Sequence, residues 1–188
     1  MIRDPRDTLV SSYFQVTTRL KTSFVGSIGD FARDPRHGIG KNIAFNLIWA
    51  KAAAEFDGFA LLSYEQLYAD TRHTLFSILR FFEAGDRKDL VDHAVERFSF
   101  ERMQHDERHG SFQMRYGSRL TPGNINNPNS YKVRRGRVES HLDELPSEDL
   151  SYCNEELSRT NYFGLIGEYA SKAMIGSLGP QKIYGIQE

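Results

Sequence analysis

The run Arg3-Asp4-Pro5-Arg6-Asp7 constrains the fold more than any other stretch of this chain. Proline fixes its own φ and has no N–H to give to a sheet ladder, so this charged run reads as a turn. After it, residues 8–20 place Leu9, Val10, Tyr13, Phe14 and Val16 at spacings that suit a half-buried helix, with Asp7 positioned to cap its start. Ahead of it, Met1 and Ile2 are the end of what should be a buried strand of about five or six residues. A chain that starts inside an element is expected to be a truncated, split or mis-started version of a longer one.

Residues 21–40 are looser, and Gly26, Gly29, Gly38 and Gly40 give them loop or lid character. Residues 42–56 read as a helix with Asn42 as N-cap and Ile43, Phe45, Leu47, Ile48 and Ala52 on a broad apolar stripe, ended by Asp57-Gly58. Residues 59–64 form a short, nearly continuous apolar run before a helix, the pattern of a buried parallel strand. Further helices are expected from 70 or 71 to 82, with Leu75, Ile78, Leu79 and Phe82 on one face, and over 87–97. Residues 104–132 are polar and rich in Gly, Asn and Pro, and read as a long ordered loop of the kind that is usually functional. A late helix starts at Pro146-Ser147-Glu148-Asp149, and a last one spans 157–174. Residues 1–175 are then one domain and 176–188 a weakly held tail. The order of elements suits part of an α/β layered domain. Arg33-Asp34-Pro35-Arg36 echoes the first run, but its flanks differ.

Composition narrows the function classes. The 188 residues fit one domain, and 39% hydrophobic with 12% aromatic residues argue against disorder. A net charge of −1 points to no nucleic acid or polyanionic surface, so any basic site must be local. The single cysteine, Cys153, permits no internal disulfide and no Cys-rich zinc site, which favours a reducing compartment. No apolar run approaches the roughly 18 residues of a membrane span, and the N-terminus lacks the apolar segment of a secretory signal. The expectation is a soluble, cytoplasmic protein.

Four motifs, in order along the chain, resemble the sulfotransferases that use 3′-phosphoadenosine 5′-phosphosulfate (PAPS). Arg3-Asp4-Pro5-Arg6-Asp7, with Ser11 eight residues after Arg3, resembles that family's 3′-phosphate-binding element. There a strand end and a helix start converge on an anion, a guanidinium forks onto phosphate oxygens and a hydroxyl adds a bond. Leu61-Leu62-Ser63-Tyr64-Glu65-Gln66-Leu67 resembles a strand–helix segment whose Tyr lies near the adenine. Ser99-Phe100-Glu101-Arg102-Met103 resembles a stretch whose Ser-Phe pair lines the nucleotide site, although Phe98 departs from the small polar residue often found before it. Arg134-Arg135-Gly136 resembles the family's Arg-Lys-Gly signature, the second half of the 3′-phosphate clamp, where Gly permits close backbone approach. Family members commonly have a further Gly where this chain has Glu139.

The resemblance implies an α/β fold, the P-loop-containing nucleotide hydrolase-like three-layer type with a parallel sheet, here N-terminally truncated and mostly helical. It implies sulfuryl transfer from PAPS to a hydroxyl or amine of a small molecule or carbohydrate, without a metal. Arg3, Ser11, Arg134, Arg135 and Gly136 would meet the 3′-phosphate, and Tyr64, Ser99 and Phe100 the adenine side. Residues 104–132 are a candidate lid or acceptor-side segment. No catalytic residue is assigned. The family's Pro-Lys-Ser-Gly-Thr-like loop is not in the sequence, and Gly38-Ile39-Gly40-Lys41-Asn42 lacks P-loop spacing. Of the histidines, His37, His73, His93 and His141 are scattered, and the pair His105 and His109 fits a solvated polar turn better than a zinc site. Two other readings stay open: a non-catalytic remnant that binds the nucleotide, and a helical interaction module without a ligand.

Overall fold

The computed structural model describes residues 1–20, 24–56 and 58–173. The first helix, α1 (Pro5–Phe14), grows directly out of the opening turn. Pro5 suits a first helical turn because its missing N–H would have no intrahelical partner there. Asp4, not Asp7, is therefore the N-cap, and its carboxylate accepts from the Arg6 N–H at 2.8 Å. Arg33-Asp34-Pro35-Arg36 repeats this local bond, Arg36 N–H to Asp34 at 2.8 Å. At its far end α1 passes into one π-helical turn, Gln15–Arg19. There the Thr17 and Thr18 hydroxyls donate to the carbonyls of Tyr13 and Phe14, competing with the regular ladder.

The region expected to be loose contains α2 (Ile28–Arg33), set by a capping box between Ser27 and Asp30. Helix α3 (Ile39–Glu55) starts three residues earlier than its sequence reading, with Gly38 rather than Asn42 at the N-cap. Its buried face also differs. Ile39, Ile43, Asn46, Ala50 and Ala53 point inward, while Phe45 and Ile48 are exposed. Apolar residues lie all round this helix, so periodicity could not choose a face. Asn46 belongs inside because its amide donates to the Arg3 carbonyl at 2.7 Å and to the Tyr162 hydroxyl at 2.8 Å.

Residues 59–64 do not form a strand. Among the described residues the expected parallel sheet is reduced to one bridge between Ile2 and Ser63. Ile2 N–H donates to Leu62 and Tyr64 N–H donates to Ile2. On the other side Leu61 N–H donates to the Ala173 carbonyl. The chain then turns into α4 (Tyr64–Ala69), α5 (Thr71–Phe81), α6 (Lys88–Arg97) and α7 (Phe100–Arg108). The long loop read over 104–132 is partly helical. It holds the end of α7, the short α8 (Gln113–Tyr116) and two 3-10 turns. His105 therefore lies on a helix, stacked on His109 with ring centroids 4.0 Å apart, rather than in a polar turn. After α9 (His141–Glu144) come α10 (Ser147–Arg159) and α11 (Tyr162–Ala173), separated at Asn161 by a positive φ of 48°. The expected last helix over 157–174 is thus two helices. The proposed tail, 176–188, lies outside the described residues.

The core joins Leu9 and Val10 of α1 and Phe31 of α2 to Ile43 and Ala50 of α3. Cys153 and Leu157 of α10 and Tyr162 and Ile166 of α11 complete it, with Ile2 and Leu61 from the bridged segments. No helix among the described residues is long and apolar enough to cross a membrane.

The glycines before and in α3 have opposite requirements. A Cβ on Gly38 would lie 2.3 Å from the Ala32 carbonyl oxygen, whereas one on Gly40 would meet nothing within 4 Å. Gly38→Ala is expected to destabilise the fold by about 1–3 kcal/mol. Gly40→Ala should instead stabilise it by up to about 1 kcal/mol, as helix propensity directs. Urea unfolding of the two variants checks the contrast.

Candidate functional site

The bridge at Ile2 delivers Arg3 to the start of α1 with its side chain across the helix. Its Nη1 donates to Ser11 Oγ at 3.3 Å. Its Nη2 donates to Asp7 Oδ2 at 3.3 Å and to the Arg137 carbonyl at 3.0 Å. The guanidinium lies over the Tyr64 ring, 4.3 Å from its centroid, and its Nε is buried without a partner. Glu65 holds this turn against α4 by accepting the Asp4 N–H at 2.9 Å. Burial pushes the Tyr64 hydroxyl up against the lowering effect of Arg3, which keeps it neutral.

Asp7 joins the opening turn to a loop more than 120 residues away in the sequence. Its Oδ2 accepts the Glu139 N–H at 2.9 Å, besides Arg3. Its Oδ1 accepts from Ser140 Oγ at 3.1 Å, from His141 N–H at 3.0 Å and from His141 Nδ1 at 2.8 Å. Burial by itself would push the Asp7 carboxyl up. The side-chain and backbone hydrogen bonds from His141, with the charge of Arg3, overcome that and hold it at about 2 against an ordinary 3.8.

The loop fixed in this way carries Arg134, Arg135 and Gly136. Gly136 has φ 58°, and a Cβ there would lie 2.1 Å from the Phe100 ring. The backbone thus presses on the aromatic face, and only glycine permits it. Glu139 takes φ 59°, so it occupies the left-handed conformation that a glycine would adopt more cheaply. Arg134 forks onto Glu144 through Nη1 at 2.5 Å and Nη2 at 2.9 Å, and Arg135 Nε lies 3.3 Å from the same carboxylate. The start of the loop hangs on Glu107, a buried carboxylate that accepts the N–H groups of Lys132 at 2.6 Å and Val133 at 2.8 Å. Partial burial and the nearby Arg19 lower the Lys132 ammonium, which donates to Gln15.

Seven of the eight sequence candidates line one cavity of about 230 Å³: Arg3, Ser11, Tyr64, Phe100, Arg134, Arg135 and Gly136. The eighth, Ser99, caps α7 through the Arg102 N–H and lines an adjoining, mostly apolar cavity of about 560 Å³. Tyr64, Phe100 and Gly136 border both cavities. The cavity combines cationic donors with the rings of Tyr64 and Phe100, a composition that suits an anionic ligand carrying a flat ring. Among the described residues no group of three or more His, Cys, Asp or Glu side chains could hold a metal ion.

The supports of this site were harder to read than its lining. Asp7, His141, Glu107, Glu144 and Asn46 each act on a partner distant in sequence or hidden in a polar stretch. Only Glu139, at a position where the resemblance expects glycine, hinted at the loop's shape.

Two outcomes follow from this geometry. The folded-state value of Asp7 lies below its unfolded value, so the ionised carboxylate stabilises the fold above about pH 4. That contribution, about 2 kcal/mol, is lost as pH falls from about 4 to about 2. Asp7→Asn should cost about 2–4 kcal/mol at neutral pH and flatten the stability profile in that acid window, as read by urea midpoints across pH. Gly136→Ala should cost about 1–2 kcal/mol from the positive φ alone, and displace the Phe100 ring, as seen in the aromatic NMR signals.

A family model described as Sulfotransferase domain matches residues 1–160. No curated protein and no solved structure matches the chain.

Proposed function

The chain belongs to the sulfotransferase domain family, and from that premise we propose that its cleft is the nucleotide site for PAPS, which supplies the sulfuryl group. The observation that carries this reading is the convergence of Arg3 and Ser11, eight residues apart, with the 134–136 loop and the rings of Tyr64 and Phe100 on one cavity. Arg3, Ser11 and the loop serve the 3′-phosphate, while Tyr64, Ser99 and Phe100 serve the adenine. The fit is supported by the buried, unpartnered Nε of Arg3.

What these residues do for the reaction is binding and orientation. Sulfuryl transfer is an in-line displacement, and holding the donor in line with an acceptor hydroxyl or amine removes much of the barrier. The Arg3 guanidinium is pre-set by Asp7 and the Arg137 carbonyl, so no reorganisation is needed when an anion arrives. The acceptor is a small molecule or carbohydrate. No residue of this chain is assigned as the base, so nucleotide binding and transfer are separate properties. A binding protein without turnover is the second reading.

Calorimetric titration with adenosine 3′,5′-bisphosphate and with adenosine 5′-monophosphate tests the site, and a sulfuryl-transfer assay run in parallel tests the activity. The bisphosphate should bind more tightly. Arg3→Ala should weaken it about tenfold or more, and Ser11→Ala by about two- to tenfold, with little effect on the monophosphate. Equal binding of the two nucleotides would sink the reading. Binding without transfer would select the second one.

A further inference from the structure

Helix α3 has two apolar faces, and the fold covers only one of them. The inward face is the one centred on Asn46. The outward face carries Phe45, Ile48, Trp49 and, at the C-cap, Phe56, at the spacing of a helical stripe. Phe59 extends the stripe beyond the helix: its ring stacks on Trp49 with centroids 5.7 Å apart, while the Phe45 ring lies 6.2 Å from Trp49. These five side chains are between 38% and 64% exposed. A fully buried aromatic covers about 150–250 Å², so the stripe leaves on the order of 500 Å² of apolar surface in water. Single exposed apolar residues are ordinary, but a contiguous patch of this size marks a contact surface.

The charges along its edge say what covers it. Lys41 and Glu55 stand equally far before and after Ile48, two helical turns away on either side, so all three share one edge of the stripe. Both charged residues are exposed. Glu55 lies 3.7 Å from Lys51 of its own helix, and an exposed pair of that kind is weak enough to leave the carboxylate available. A two-fold axis at Ile48 lays one α3 antiparallel on another and sets each residue against the one equally far beyond Ile48 in the second copy. Lys41 then faces Glu55 at both ends, whereas a parallel pairing would set like charges together. We propose that the outward face of α3 is a homodimer interface, in which two copies pack α3 antiparallel about Ile48 and pair Lys41 with Glu55 across each end. The apolar stripe drives the association, and the end charges fix its direction and register. With the polar rim around the stripe, the contact approaches the roughly 800 Å² per partner of a stable interface. None of these residues lines the nucleotide cleft, so the interface and the site are separate.

The test is sedimentation velocity of the full chain over a concentration series from about 1 to about 100 μM, with the emission of Trp49, its single tryptophan, followed in parallel. A monomer–dimer equilibrium is expected, with the emission moving to shorter wavelength as the dimer forms. Ile48→Glu should weaken the dimer about tenfold or more. Lys41→Glu and Glu55→Lys should each weaken it about three- to tenfold, and the two together should restore it to within about threefold of the unaltered chain. All three positions are exposed, so circular dichroism should show each variant folded. A chain that stays monomeric throughout overturns the proposal. A monomer whose Trp49 emission is already short at the lowest concentration does so too, because another segment of the same chain then covers the face. A dimer indifferent to Ile48→Glu, or one that the double charge reversal fails to restore, also overturns it.

Discussion

The cleft depends on one buried carboxylate. Asp7 accepts five hydrogen bonds, one from Arg3 and four from the 139–141 segment. Together with the bond from Arg3 to the Arg137 carbonyl, they hold the start of α1 against the loop of Arg134, Arg135 and Gly136. An ionised carboxylate can be buried only when its oxygens are satisfied, and here every donor that satisfies it also positions a wall of the site. The same bonds that lower its pKa therefore define the distance between the two walls.

A second tier of polar contacts extends this logic. Asn46 joins the Arg3 carbonyl to Tyr162, so the core helices α3 and α11 set the height of the opening turn. Glu107 ties the start of the loop to α7, the helix that carries Phe100 near its N-terminus. Glu144 braces the loop from below through Arg134. The cavity is thus lined by residues of ligand-binding type and supported by buried polar residues that face away from it.

Much of the lining was legible in the sequence, because it rests on local spacing. Arg3 and Ser11 sit on one side of a helix start, and Gly136 stands where the backbone must pass close to a ring. The supports were not legible, because each acts over a long separation. Asp7 looked like a cap since four of its five hydrogen bonds come from residues more than 120 positions away. The buried face of α3 was misread because an asparagine occupies its centre. The bridge at Ile2 shows why residues 59–64 looked like a strand: the apolar run is buried at Leu61 and pairs as a parallel strand would, but with only one bridged residue on that side. Residues 104–132 looked like loop because Gly, Asn and Pro punctuate them, yet short helical turns fit between the breaks.

The span closed by Asp7 has a kinetic meaning as well. Its bonds to Ser140 and His141 join residues 133 and 134 positions apart. Closing such a loop costs chain entropy before any contact repays it, so these bonds belong to the late, non-local part of folding. The opening turn is made before the 139–141 segment, and until that segment exists Arg3 alone of the five donors can reach Asp7. An anion that required both walls would bind only the closed form and would draw the folding equilibrium toward it. For a ligand that needs both walls, occupancy and completion of the fold would be thermodynamically linked.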